Sequence, residues 1–174
     1  EDTDCTFFDA NGDGRSDLYV TSGGNEFSSS SFSLADRLYI NADGRHFFRD
    51  KQVLPVTSKF ESTSTVVSQD FDKDGDIDLF VGVRLIPFQY GIPGNGYLLI
   101  NDGKGHYNDR TESIASQLKN FGLITDAKWA DLNNDKFVDL VIVGEWMGIK
   151  IFMQESGLLV DRSKEYGLEN SNGW

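Results

Sequence analysis

The sequence predicts an all-β chain of propeller-type blades, each of four antiparallel strands, with about three blades in an incomplete ring. Three observations predict it. A nine-residue stretch rich in Asp, Asn and Gly opens at Asp9, Asp70 and Asp131, each opening 61 residues after the last. Each stretch runs directly into a short apolar segment, Leu18-Tyr19-Val20, Leu79-Phe80-Val81 or Leu140-Val141-Ile142-Val143, whose β-branched and aromatic residues read as a buried strand. Each period then carries a strand-turn-strand echo. Leu38-Tyr39-Ile40-Asn41 before Gly44 parallels Leu98-Leu99-Ile100-Asn101 before Gly103, and Lys150 to Gly157 follows more faintly. The closing strands are Phe47-Phe48-Arg49-Asp50, Tyr107-Asn108-Asp109-Arg110 and Leu159-Val160-Asp161-Arg162. With the strand that leads into each acidic stretch, this makes four strands per period. The single segment 1–174 divides into repeats of about 1–65, 66–126 and 127–174, the last truncated.

The acidic stretches place oxygen side chains at loop positions 1, 3, 5 and 9: Asp9, Asn11, Asp13 and Asp17; Asp70, Asp72, Asp74 and Asp78; Asp131, Asn133, Asp135 and Asp139. Alternate residues of a tight loop can all point inward, and a hard cation such as Ca²⁺ takes about 6 to 8 oxygen ligands. The backbone carbonyl at position 7, from Arg15, Asp76 or Phe137, can supply another. Up to three Ca²⁺ are therefore expected. Gly14 and Gly75 at position 6 permit the positive φ of such a turn, whereas Lys136 must strain to reach it and brings a positive charge, so the third loop is expected to bind most weakly. An EF-hand also starts this way but needs a bidentate Glu at position 12, where Val20, Val81 and Ile142 stand. The plain alternative is that Asp, Asn and Gly only punctuate hairpin turns.

These loops, the apolar strand after each and the Asn-x-Gly turns resemble FG-GAP or VCBS repeats, the blades of integrin α-subunit propellers. Ser22 to Phe27, Val143 to Met147, and Tyr166-Gly167-Leu168 through Asn172-Gly173-Trp174 are similar to bacterial VCBS-repeat relatives of cartilage acidic protein, often joined to an ASPIC/UnbV domain. The resemblance implies that the acidic loop positions are the metal ligands.

A propeller closes with about 4 to 8 blades, and 174 residues hold fewer than three full periods. The chain starts without Met and is read as an excerpt of a longer protein, with self-association or missing blades completing the ring. A net charge of −12 and a pI near 4.4 exclude the basic face that nucleic acid requires. Three bound Ca²⁺ would bring the charge to about −6. No apolar run approaches the roughly 20 residues of a membrane span. Loops of this type in extracellular modules bind calcium at about 10⁻⁴ to 10⁻³ M, which points to a secreted, cell-surface or periplasmic protein. The single Cys5 forms no internal disulfide and is expected to be buried in the first strand.

The connections after the metal-following strands differ most between repeats. Six residues past each last ligand stand Gly23, Arg84 and Glu145, expected on one rim, with an Arg84 to Glu145 contact and with Glu26, Phe88, Tyr90 and Trp146 nearby. This rim could hold a protein or carbohydrate ligand. Against that reading, Trp146 and Phe88 fill gaps between blades and Arg84 bridges loops. Phe27 to Phe32, with its four serines, reads as a loop, and Ser113 to Lys119 as about two helical turns covering a blade edge. His46 and His106 occupy matching places after the turns, as repeat symmetry demands.

The function expected is a calcium-stabilised binding or adhesion module without chemistry of its own. The rivals are part of a polysaccharide lyase or hydrolase, with Arg84 and Glu145 as charge-stabilising and acid-base groups, or spacer blades of a large surface protein. A nucleophilic triad is not supported, because the chain has two His residues and lacks a Gly-x-Ser-x-Gly sequence.

Overall fold

The computed structural model describes residues 1–55, 57 and 59–172. Gly173 and Trp174, at the end of the VCBS-like sequence, lie outside them. Blade 1 consists of β1 (Asp2–Phe8), β2 (Asp17–Ser22), β3 (Arg37–Asn41) and β4 (Phe47–Arg49). Blade 2 consists of β5 (Ser62–Gln69), β6 (Asp78–Leu85), β7 (Gly96–Asn101) and β8 (Tyr107–Asp109). Blade 3 consists of β9 (Leu123–Ala130), β10 (Asp139–Glu145), β11 (Lys150–Glu155) and β12 (Leu158–Asp161). In each blade the four strands pair antiparallel in chain order, as the repeat predicted. The divisions drawn at 65 and 126 fall inside β5 and β9, so the sheets part a few residues earlier.

Side chains alternate across a strand, and in the central blade both faces are covered. Leu79, Val81 and Val83 of β6 point into a core shared with blade 1, where they meet Phe8, Tyr19 and Leu38. Phe80 of β6 and Leu98 of β7 point into a second core with Ile124, Leu140, Ile142 and Phe152 of blade 3. A blade therefore buries its apolar residues against its neighbours, as repeat architectures do. At Gly82 the approach leaves no room for a side chain, since a Cβ would lie 2.5 Å from the Ile124 Cγ2.

Each loop is pinned by its last aspartate. Asp17 is fully buried, and its two oxygens accept the Ala10 N–H at 2.9 Å and the Asn41 N–H at 2.7 Å. Asp78 does the same for Phe71 and Asn101, and Asp139 for Leu132 and Gln154. A charged acceptor with two backbone donors is a strong anchor in a dry site. It ties the start of the loop to the third strand of its own blade.

Two expectations about local structure need correction. Cys5 is exposed, not buried. On β1, Asp4 and Phe8 face blade 2, and alternation turns Cys5 and Phe7 to the outward face, where Phe7 is 60% exposed. The helix over Ser113 to Lys119 is instead a single turn α1 (Thr111–Ile114) followed by a 3-10 turn (Ser116–Leu118), broken at Ala115, whose φ of −149° is not helical. Its apolar residues act as expected all the same: Ala115 and Leu118 are buried in the core between blades 2 and 3. The serine-rich loop ends in a 3-10 turn (Phe32–Leu34) with Leu34 buried against Phe60. His46 and His106 each lie beside the aspartate of their own turn, Asp43 and Asp102, in keeping with repeat symmetry.

Candidate metal centre and rim site

The three acidic loops share one backbone course. Position 4 is left-handed in all of them (Gly12 φ 73°, Lys73 φ 64°, Asn134 φ 60°), and so is position 6 (Gly14 φ 81°, Gly75 φ 99°, Lys136 φ 75°). Lys136 thus adopts the strained conformation expected of it. The side chain at position 3 accepts the position 5 N–H, and the carboxylate at position 5 accepts the N–H of Arg15, Asp76 or Phe137 at 2.9, 2.9 and 2.8 Å. These local bonds curl each loop into the same tight turn.

The loops differ at position 1. Asp9 accepts the N–H groups of Gly12, Asp13 and Gly14, and Asp131 those of Asp135 and Lys136, so both carboxylates are satisfied by their own turn. In loop 1 the Arg15 guanidinium also holds Asp13, at 2.6 Å. In loop 2, Asp70, Asp72 and Asp78 bring carboxylate oxygens within 4.8 Å of one another. Among the described residues Asp70 Oδ1 is buried without a hydrogen-bond partner. Burial, against its backbone hydrogen bonds, pushes the Asp78 carboxyl up to about 7, with the charges of Asp72 and Asp74 adding to the rise. Burial and the Asp74 charge likewise raise Asp72 and Asp76. Repelling carboxylates around an unsatisfied oxygen fit a divalent cation, whose charge would reverse each of these effects.

Each of the first two loops is also fastened to the following blade. The Asn101 side-chain amide, at the end of β7, donates to the Ala10 carbonyl in loop 1 at 2.8 Å, and the Gln154 amide, at the end of β11, donates to the Phe71 carbonyl in loop 2 at 2.9 Å. Sequence reasoning read the Asn at the end of that strand only as a turn signal. The recurrence of a side-chain amide at Asn41, Asn101 and Gln154 was the available clue.

At the opposite end of the strands, the structure joins the residues picked out by counting. Arg84 meets Glu145 across the gap between blades 2 and 3, with Nε 2.8 Å and Nη2 2.5 Å from Oε1. The Tyr90 hydroxyl donates to the other carboxylate oxygen. The Tyr90 hydrogen bond and Arg84 hold the Glu145 carboxyl below its usual range. Trp146 stacks edge-on against Tyr90, ring centroids 5.3 Å apart. Blade 1 joins through Asn25, which accepts the Phe88 N–H at 2.5 Å, while Glu26 accepts the Asn25 N–H. Glu26 and Arg84 line one cleft of about 380 Å³ beside the start of β1. The reading that Trp146 and Phe88 fill gaps between blades is corrected: they are 58% and 65% exposed. Arg84 does bridge the loops.

Successive four-stranded antiparallel blades, each with an acidic loop between its first two strands, define a repeat protein of the propeller class. The profile of the FG-GAP-like repeat matches residues 9–81 and 70–142, and the chain belongs to that family. The comparison with curated proteins returns no match. FG-GAP repeats are typically non-enzymatic and typical of extracellular or surface proteins. The family is not one that binds nucleic acid, and among the described residues no helix is long and apolar enough to cross a membrane.

Proposed function

We propose that this chain is a calcium-stabilised propeller segment of an exported binding or adhesion module, formed by residues 1–174 as one unit of three blade repeats. The observation that carries this reading is the buried, unpartnered Oδ1 of Asp70 among Asp72 and Asp78. Asp70, Asp72, Asp74 and Asp78, with the Asp76 carbonyl, would hold an ion there. Asp9, Asn11, Asp13 and Asp17 with the Arg15 carbonyl would do so in loop 1, and Asp131, Asn133, Asp135 and Asp139 with the Phe137 carbonyl in loop 3. In those two loops the carboxylate at position 1 must first release backbone N–H groups, which makes loop 2 the tightest site. Calcium supplies charge neutralisation to a turn and no open coordination for a substrate, so its role is structural.

The rim around Glu26, Arg84, Glu145 and Trp146 is the ligand face. Both oxygens of Glu145 are already engaged, which suits a fixed recognition surface and not an acid-base catalyst. The test is calorimetric titration of chelator-stripped protein with Ca²⁺, alongside melting curves in calcium and in chelator. Binding at loop 2 first, about three equivalents in all, and a stabilisation of about 2.7 kcal/mol from each site held at a hundredfold excess over its own Kd are expected. No heat at millimolar Ca²⁺ overturns the reading.

A further inference from the structure

We propose that the rim built by the β6–β7 and β10–β11 connections binds an uncharged polysaccharide, with the Trp146 indole as the surface on which a pyranose ring stacks. This inference names the ligand of the module proposed above and rests on that reading. Trp146, Tyr90 and Phe88 stand together on the rim, each more than half exposed. Two of them have a backbone that an aromatic residue adopts only under strain, Phe88 at φ 62° and Trp146 at φ 56°.

That strain is held in place by contacts from neighbouring blades. Asn25 of blade 1 fixes the Phe88 N–H, and Arg84 and Tyr90 of blade 2 fix Glu145, the residue before Trp146. The indole lies over Gly91, where a Cβ would come to 3.4 Å from its Cζ3. The result is a preorganised aromatic plate, which lowers the ordering cost of a ligand.

The cleft beside it decides the kind of ligand. Its side chains are hydroxyls, an amide and charges such as Ser62, Thr125, Asn25, Glu26 and Arg84, with Leu85 as the apolar exception. A peptide anchor needs an apolar pocket. A sugar presents an apolar ring face beside hydroxyls that both donate and accept, and an aromatic plate flanked by such groups complements it. Glu26, Glu145 and the net charge of −12 repel a polyanion, which leaves an uncharged chain.

The experiment is electrophoresis of the calcium-loaded chain through gels containing glucomannan, xylan, β-1,3-glucan or galactan, with polygalacturonate for comparison and a random peptide display library screened in parallel. Retardation by at least one neutral polysaccharide is expected, weakened at least about tenfold by Trp146→Ala and largely restored by Trp146→Phe, which keeps a ring face. Circular dichroism establishes that both variants fold. Migration unaffected by any neutral polysaccharide, in protein that does take up calcium, overturns the inference and leaves the calcium reading standing. Retardation by polygalacturonate alone, peptides that bind through Trp146 without any glycan, or retardation indifferent to Trp146→Ala also overturn it. Trp146-dependent retardation in protein that takes up no calcium supports the inference and removes the calcium reading.

Discussion

Asp36 is a fully buried carboxylate between blades 1 and 2, and its replacement by asparagine gives a stability change that depends on pH in a calculable way. Its oxygens accept the Ser22 N–H at 2.8 Å, the Thr63 hydroxyl at 2.6 Å and the Tyr19 hydroxyl at 3.0 Å. Burial outweighs these donors and pushes the carboxyl up from its ordinary 3.8 to about 7. The folded state therefore retains a proton that the unfolded chain releases near 3.8, so the contribution is fully present below that value and is lost as pH rises to 7. Each pH unit in that window costs about 1.4 kcal/mol. Asparagine keeps an acceptor for Ser22 and Thr63, offers its NH₂ to the Tyr19 oxygen and does not titrate. Between pH 5 and pH 8 the wild type should lose about 3 kcal/mol relative to Asp36→Asn. Urea unfolding of both proteins in saturating calcium at pH 5, 6, 7 and 8 measures this difference, and titrations elsewhere in the chain cancel. A difference that stays flat, or wild type that gains on the variant as pH rises, refutes the argument that burial dominates the three hydrogen bonds.

Lys136→Gly removes the strain of φ 75° in loop 3, for a net gain of about 0.5 to 1 kcal/mol, and tightens calcium binding there by removing a nearby charge; denaturant midpoints with and without calcium report both. Asn101→Ala leaves the buried Ala10 carbonyl without its amide donor and should cost about 1 to 3 kcal/mol, with calcium affinity lowered in loop 1 but not in loop 3, as site-by-site titration reads. Gly82→Ala drives a methyl into Ile124 and should cost about 1 to 3 kcal/mol in thermal unfolding, with blades 2 and 3 losing amide protection together. Cys5 should react with a thiol reagent in the native protein as fast as in denaturant, and a rate slowed by orders of magnitude on folding would contradict its exposed position on β1.

Much of the fold was legible because it is periodic. The 61-residue spacing located all three loops, and the apolar runs after them located β2, β6 and β10. Counting six residues past the last acidic position put Arg84 and Glu145 on one rim, and the two do touch. What periodicity hid were differences between equivalent positions. Asp9, Asp70 and Asp131 read alike, yet two turn to their own backbone amides and one is left with a buried bare oxygen. Cys5 misled because β1 covers blade 2 with one face only, and a strand's burial depends on what stands beside its sheet. For Trp146 and Phe88 the sequence left two readings open, rim or gap between blades, because hydrophobicity argued for a core position and the strained backbone that presents them outward leaves no mark in composition. Asp36, Thr63 and Tyr19 form a network across 44 residues of sequence, a distance no local pattern reports.

The amides that cross from one blade to the loop of the blade before it set a direction in time. The Ala10 carbonyl waits for the Asn101 amide, 91 residues further along the chain. During synthesis at about 5 to 20 residues per second, that is an interval of about 5 to 20 s in which the first loop has been made but not closed. A newly made blade is thus finished by its successor, and damage to the third strand of one blade is felt upstream, in a loop synthesised long before it.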